Sequence, residues 1–162
     1  MNVTTVSGKI FNERYNGKRV FSVLLKEDSI DDYGHICDDG VNEDTNILIT
    51  NYCSEGGFYF FDERIIGRKI KDCHHFIAKV SIPNDAIVFI DGHQSMKCNK
   101  LIVENKVQIS DFYLWDDEDF CKNSAYLNKE ALKYVKKNKD ELSKMIETTE
   151  QFTHDFCKRC IM

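Results

Sequence analysis

The chain has 162 residues, 42% of them hydrophobic and 30% charged, with a formal net charge of −5. That length suits a single domain, 1–162, able to bury roughly 70% of its unfolded surface. The acidic balance argues against binding a phosphate backbone, which needs Lys and Arg in excess, and no apolar run reaches the ~18 residues of a membrane helix. No secretory leader is expected from the N-terminal residues, and the seven cysteines are an odd number. Free thiols in a reducing, intracellular compartment are therefore expected.

From the N-terminus, Lys9–Tyr15 and Lys18–Lys26 read as two strands around Asn16-Gly17. Asn-Gly accepts positive φ at both positions of a type I′ turn, so the expectation is a β-hairpin over Gly8–Lys26. Lys26–Thr45 carries eight acidic residues and two glycines and reads as a long surface loop. Its carboxylates lack the order of a calcium-binding loop, and the charges read as a solvated face. Ile47–Ile49 is a short strand, broken by Ser54-Glu55-Gly56-Gly57. Phe58–Phe61, Phe76–Ile82, Ala86–Ile90 and Leu101–Val103 are rich in the aromatic and β-branched residues of strands. Asp62 is placed to cap a short helix running to about Ile70. The turns at Pro83-Asn84-Asp85 and Asp91-Gly92-His93 are too short for parallel crossovers, so the sheet is expected to be mainly antiparallel.

After Val107 the pattern turns helical. Asp116–Asp119 suits a helix N-terminus, and Asn128 caps a helix through Asn138 with Ala131, Leu132, Tyr134 and Val135 facing inward. The basic run 129–139 reads as that helix's solvated face. Leu142, Met145, Ile146, Thr149, Phe152 and Phe156 recur at spacings of three and four, one apolar stripe over Asp140–Cys160. That stripe either packs across the sheet or pairs with a second copy, which makes Phe152 and Phe156 candidate interaction residues and a homodimer a candidate assembly. The expected class is α+β: a mainly antiparallel β core over 1–110 with an N-terminal hairpin, then a helical segment over 111–162.

Few residues here offer chemistry. His154-x-x-Cys157-x-x-Cys160 has metal-compatible spacing, with Cys73 and His74 or His75 as a completing pair. A structural zinc site needs four ligands and only one C-x-x-C is present, so free thiols and no bound metal or cofactor are expected. His74 and His75, adjacent at a strand start, should point to opposite faces, one buried and hydrogen-bonded and the other exposed. No partner visible in the sequence completes a catalytic pair with either.

Three blocks in order resemble a family of uncharacterised domains in giant DNA viruses and some phages, often found before ankyrin repeats. They are Gly56-Gly57-Phe58-Tyr59-Phe60, Val80-Ser81-Ile82-Pro83-Asn84-Asp85-Ala86 and Lys97-Cys98-Asn99-Lys100-Leu101-Ile102-Val103. They are similar to GG-aromatic-YF, V-x-IP-x-DA and K-A-[DN]-K-[LI]-I, with Cys98 where the family has Ala, and they cover about a third of the chain. The resemblance implies viral origin and brings no activity with it. The expected function is a viral protein acting by protein–protein interaction, as a virion component or host-directed factor, its partner being itself or an unidentified host or viral protein. A second resemblance points elsewhere. Gly57-Phe58-Tyr59-Phe60 before a helix is similar to the G-x-YF block of poly(ADP-ribose)-polymerase-like transferases, with Gly34-His35 upstream and Glu104 downstream. It implies an NAD-dependent ADP-ribosyltransferase in which His35, Tyr59 and Glu104 share one cleft. The family's upstream His-Gly pair is reversed here.

Overall fold

The computed structural model describes residues 4–15, 17–26, 29–45, 56–90, 95–136, 139–144 and 146–147. Phe152, Phe156, His154, Cys157 and Cys160 lie outside them, as does the strand expected at 47–49. In chain order the elements are β1 (Thr4–Ser7), α1 (Gly8–Tyr15), β2 (Phe21–Leu25), β3 (Gly40–Glu43), β4 (Phe58–Asp62), α2 (Glu63–Ile66), β5 (Phe76–Ser81), β6 (Ile87–Ile90), β7 (Ser95–Cys98), β8 (Lys100–Gln108) and α3 (Glu118–Leu127). The strands form one antiparallel sheet in the order β1-β6-β7-β4-β2-β5-β8-β3. The class is α+β.

Asn99 alone separates β7 from β8, yet β4, β2 and β5 lie between those two strands in the sheet. Flat, they would stand about 19 Å apart at ~4.8 Å per strand, whereas the chain allows about 7.6 Å across two peptide units. The sheet therefore curls on itself, and 95–108 is one bent strand that closes a barrel. Asn105, with φ +28°, is the extra residue where the β5–β8 register slips between Ala78 and Lys79. Such a bulge sharpens the local twist. Phe21, Val23, Leu25, Phe58, Phe60, Ala78, Val80, Met96, Cys98, Leu101 and Val103 all point into the enclosed core.

The first twenty residues correct the hairpin expected over Gly8–Lys26. Gly8–Tyr15 is a helix, and only the second arm is a strand. Phe11 and Tyr15 lie one helical turn apart, and the Phe11 ring packs at a tilt against Tyr15 and Phe21 and edge-to-face against Phe60, at 4.8, 5.1 and 5.7 Å, closing one end of the barrel. The Gly8 amide donates to Ala86 O and the Lys9 amide to Asn84 O. A Cβ on Gly8 would lie 1.8 Å from Pro83 O, so only glycine permits this approach. Those long-range contacts outweigh the local turn signal.

β2 is buried along its whole length because it has two covered faces. Its outer side joins a second cluster of Leu24, Ile66, Ile70, Ile77, Ile109, Phe112, Trp115, Phe120, Ala131, Val135 and Leu142. Trp115 Nε1 donates to Ile109 O, and its ring stacks on Tyr134 at 5.6 Å. Asp62 and Asp117 cap α2 and α3 as their sequence positions imply, accepting from Arg64 N and Phe120 N. Asn128 also caps, but the element it starts is a 3-10 stretch, Lys129–Lys133, rather than a helix to Asn138. Asn128 Nδ2 is meanwhile drawn to Gly67 O and Ile70 O. Backbone at 139–144 and 146–147 is helical again, and Leu142 and Ile146 are buried, so the start of the C-terminal stripe belongs to this chain's own core.

Candidate functional site

The segment read as an acidic loop is folded. Lys26 N donates to Ile30 O, Asp31 N to His35 O and Cys37 N to Ser29 O, which makes 29–37 a small hairpin that leads into β3. Gly34 turns it at φ +89°. The buried Asp31 carboxylate holds the turn from inside. Oδ1 accepts from Tyr33 N at 2.8 Å and His35 N at 2.9 Å, and Oδ2 faces His35 Nδ1 at 3.1 Å. His35 Nε2 lies 3.5 Å from Asp44 Oδ2, which accepts the Gly57 amide at 2.7 Å. His35 thus links the hairpin, the end of β3 and the start of β4.

The hairpin lies over the outer face of β4 and β7. Tyr33 stacks on Tyr59 at 4.3 Å, and Lys97 Nζ sits 4.9 Å from the Tyr59 ring centre. Tyr59 and Lys97 are register partners. A Cβ on Gly57 would come within 2.9 Å of Lys97 Cε, and Gly57 has φ +73°, so both space and backbone require glycine there. Burial pushes the Lys97 ammonium below the usual lysine range, and the Asp44 and Asp31 carboxylates pull it partly back. A cleft of about 140 Å³ runs beside the tyrosines, with Asp32, Lys69 and Lys71 at its edge.

His74 and His75 divide as expected, the first buried and the second exposed. His74 Nδ1 accepts the Lys71 amide at 3.0 Å, so in the neutral ring Nε2 carries the proton and donates to Asp32 Oδ1 at 2.9 Å. Lys71 Nζ takes Asp32 Oδ2 at 2.6 Å, with Lys26 Nζ 3.7 Å from the other oxygen. Asp32, Cys73 and His74 bring possible ligand atoms within 4.8 Å of one another. They do not fit a divalent metal. The Nε2 lone pair is unavailable while Nδ1 accepts an amide, and two ammonium groups already face the carboxylate. Cys37, Cys73, Cys98 and Cys121 are free. Burial pushes the Cys37 thiol up to about 12 and raises those of Cys98 and Cys121, keeping the nucleophilic thiolate scarce.

Protein-family models, curated proteins and solved structures were all compared with this chain, and none matches.

Of the residues assigned to one transferase cleft, His35 and Tyr59 are drawn close through Tyr33, which shares the Asp31 carboxylate with His35 and stacks on Tyr59. Glu104 is not with them. It stands on β8, 3.7 Å from Lys79, and lines a separate cavity of about 490 Å³ at the barrel mouth. Sequence reasoning missed Asp31 and Lys97. Lys97 alternates with the inward-facing Met96 and Cys98, so its strand position alone puts it on an outer face. Only the folded hairpin turns that face into an interior.

Proposed function

We propose that this is a viral protein that acts by protein–protein interaction, presenting residues 30–43 to an extended basic segment of a partner, in the virion or on a host factor. One observation carries the reading: a segment with its backbone pinned by a buried carboxylate displays large apolar side chains to solvent. Tyr33 is 55% exposed, Ile36 61% and Val41 67%. Asp38, Asp39 and Glu43 are exposed around them and favour Lys and Arg on the other side. Pinning the loop beforehand lowers the ordering cost of binding. β3 is an edge strand in the described sheet, a position where an extended partner can pair. The commitment of both His74 nitrogens and the burial of three thiols support binding rather than catalysis. Viral origin is supported by the three sequence blocks. In the fold, those blocks meet at the barrel seam, where Phe58 pairs with Cys98, Asn99 Oδ1 accepts from Ile87 N and Lys100 bonds Asp85.

The test is crosslinking of purified protein in infected-cell extract, comparing wild type, Ile36→Ser/Val41→Ser, and Tyr126→Ser/Leu127→Ser as a control of like exposure. One partner lost only with the first variant supports the reading. Equal recovery in all three defeats it. Saturable NAD binding by calorimetry would favour the transferase instead.

A further inference from the structure

We propose that the barrel mouth beside α1 binds a small amphipathic organic anion: one aromatic or branched apolar body carrying a single anionic head. The cavity there measures about 490 Å³, within the range of small-molecule sites, and barrel mouths are a usual place for them. Its wall is mixed: Phe11, Tyr15, Val20 and Phe21 supply the apolar part, and Asn12, Ser81 and Asn84 add polar atoms. The wall is also fixed in advance. Asn12 Nδ2 on α1 donates to Ile82 O at 2.8 Å and to Asn84 Oδ1 at 3.1 Å, tying the helix across to the far rim.

The rim sets the sign of the ligand. Arg19 and Lys79 stand there against one carboxylate, Glu104, a local excess of positive charge on a chain of net charge −5. Both cations are loosely engaged. Asp62 already receives the Arg64 fork, Nε at 3.0 Å and a second nitrogen at 2.7 Å, while Arg19 Nε stays 3.5 Å away. Arg19 lies over the Tyr15 ring at 5.0 Å with its side chain 41% exposed, which leaves guanidinium donors for an incoming anion. Lys79 Nζ is 3.7 Å from Glu104, beyond hydrogen-bonding distance. A charged head meeting Arg19 and Lys79 while its apolar body lies on Tyr15 and Val20 satisfies both halves of the cavity. A cationic ligand would face two like charges.

The experiment uses two probes that share one aromatic body, 1-anilinonaphthalene-8-sulfonate and its neutral counterpart N-phenyl-1-naphthylamine, titrated into the full chain by fluorescence. Amide shift mapping locates the site. Expected are saturable one-to-one binding of the sulfonate, with shifts at Phe11, Tyr15, Arg19 and Ser81, and clearly weaker binding of the neutral probe. Arg19→Gln and Lys79→Gln should each weaken the sulfonate about tenfold, the loss of one charge-assisted contact, and leave the neutral probe unchanged. Glu104→Gln should tighten the sulfonate. Equal affinity for the two probes, shifts centred elsewhere, absence of saturable binding, or indifference to both cation variants would overturn the proposal.

Discussion

The barrel interior and the region under the 29–37 hairpin are both closed to water, but by different means. Inside, strands and α1 meet through rings and branched side chains, and Phe60 touches two other rings. Under the hairpin, the buried groups include the ionisable Asp31, Lys97 and His74. Apolar closure is non-directional and adds up by area. Polar closure works only while each group keeps its partners, and the low dielectric raises the stakes in both directions. The first makes the protein stable, and the second fixes one conformation of the loop that faces outward.

The largest effect should come from the interior. Phe60→Ala, at a side chain with no exposure, is expected to cost about 3–5 kcal/mol in urea unfolding, with hydrogen exchange faster throughout the sheet. Asp31→Ala should cost less, about 2 kcal/mol for acceptors lost to two amides and an imidazole. Its signature is local: faster exchange at 29–37 with the barrel strands still protected. Global loosening by Asp31→Ala would erase the distinction between the two regions.

The pH response sharpens the comparison further. Burial pushes His74 below its ordinary 6.5, against the pull of Asp32. Burial raises Asp32, but hydrogen bonds from Lys71 and His74 outweigh it and hold it below 3.8. Just below each ordinary value the unfolded chain takes up a proton that the folded chain does not. The stability these two groups contribute is therefore complete above about pH 6.5 and falls as pH drops through each window. His74→Gln is expected to lose the upper step in a series of denaturation midpoints and keep the lower. The smallest effect concerns Cys73. Brief iodoacetamide treatment of the native protein should label it ahead of Cys37, Cys98 and Cys121, read by mass spectrometry, and shift stability by no more than about 0.5 kcal/mol.

What the sequence disclosed follows how local each cause is. Asp62, Asp117 and Asn128 cap from their own neighbourhoods, and the runs at β4, β5 and β6 carry enough apolar residues to read as strands. His74 and His75 divide as alternation implied, although both stand just before β5, and His74 is held by the turn from Lys71 and by Asp32. β3 and β7 escape because Gly-Val-Asn-Glu and Ser-Met-Lys-Cys hold little apolar character. α1 is misread because Gly8 is held by Ala86 and Asn84, far along the chain. The site is less legible still. Asp31, Lys97 and Tyr59 are brought together by strand register and by a hairpin whose composition resembles a solvated loop.

The bent strand over 95–108 has a consequence for folding kinetics. Its first half pairs with β4 and β6 and its second with β5 and β3, so neither half of the barrel completes its pairing before the other sets the bend at Asn99. Closure joins segments distant in sequence, and such non-local pairing is slow. With no half able to finish alone, refolding should follow a single exponential, with a folding limb that stays linear at low denaturant.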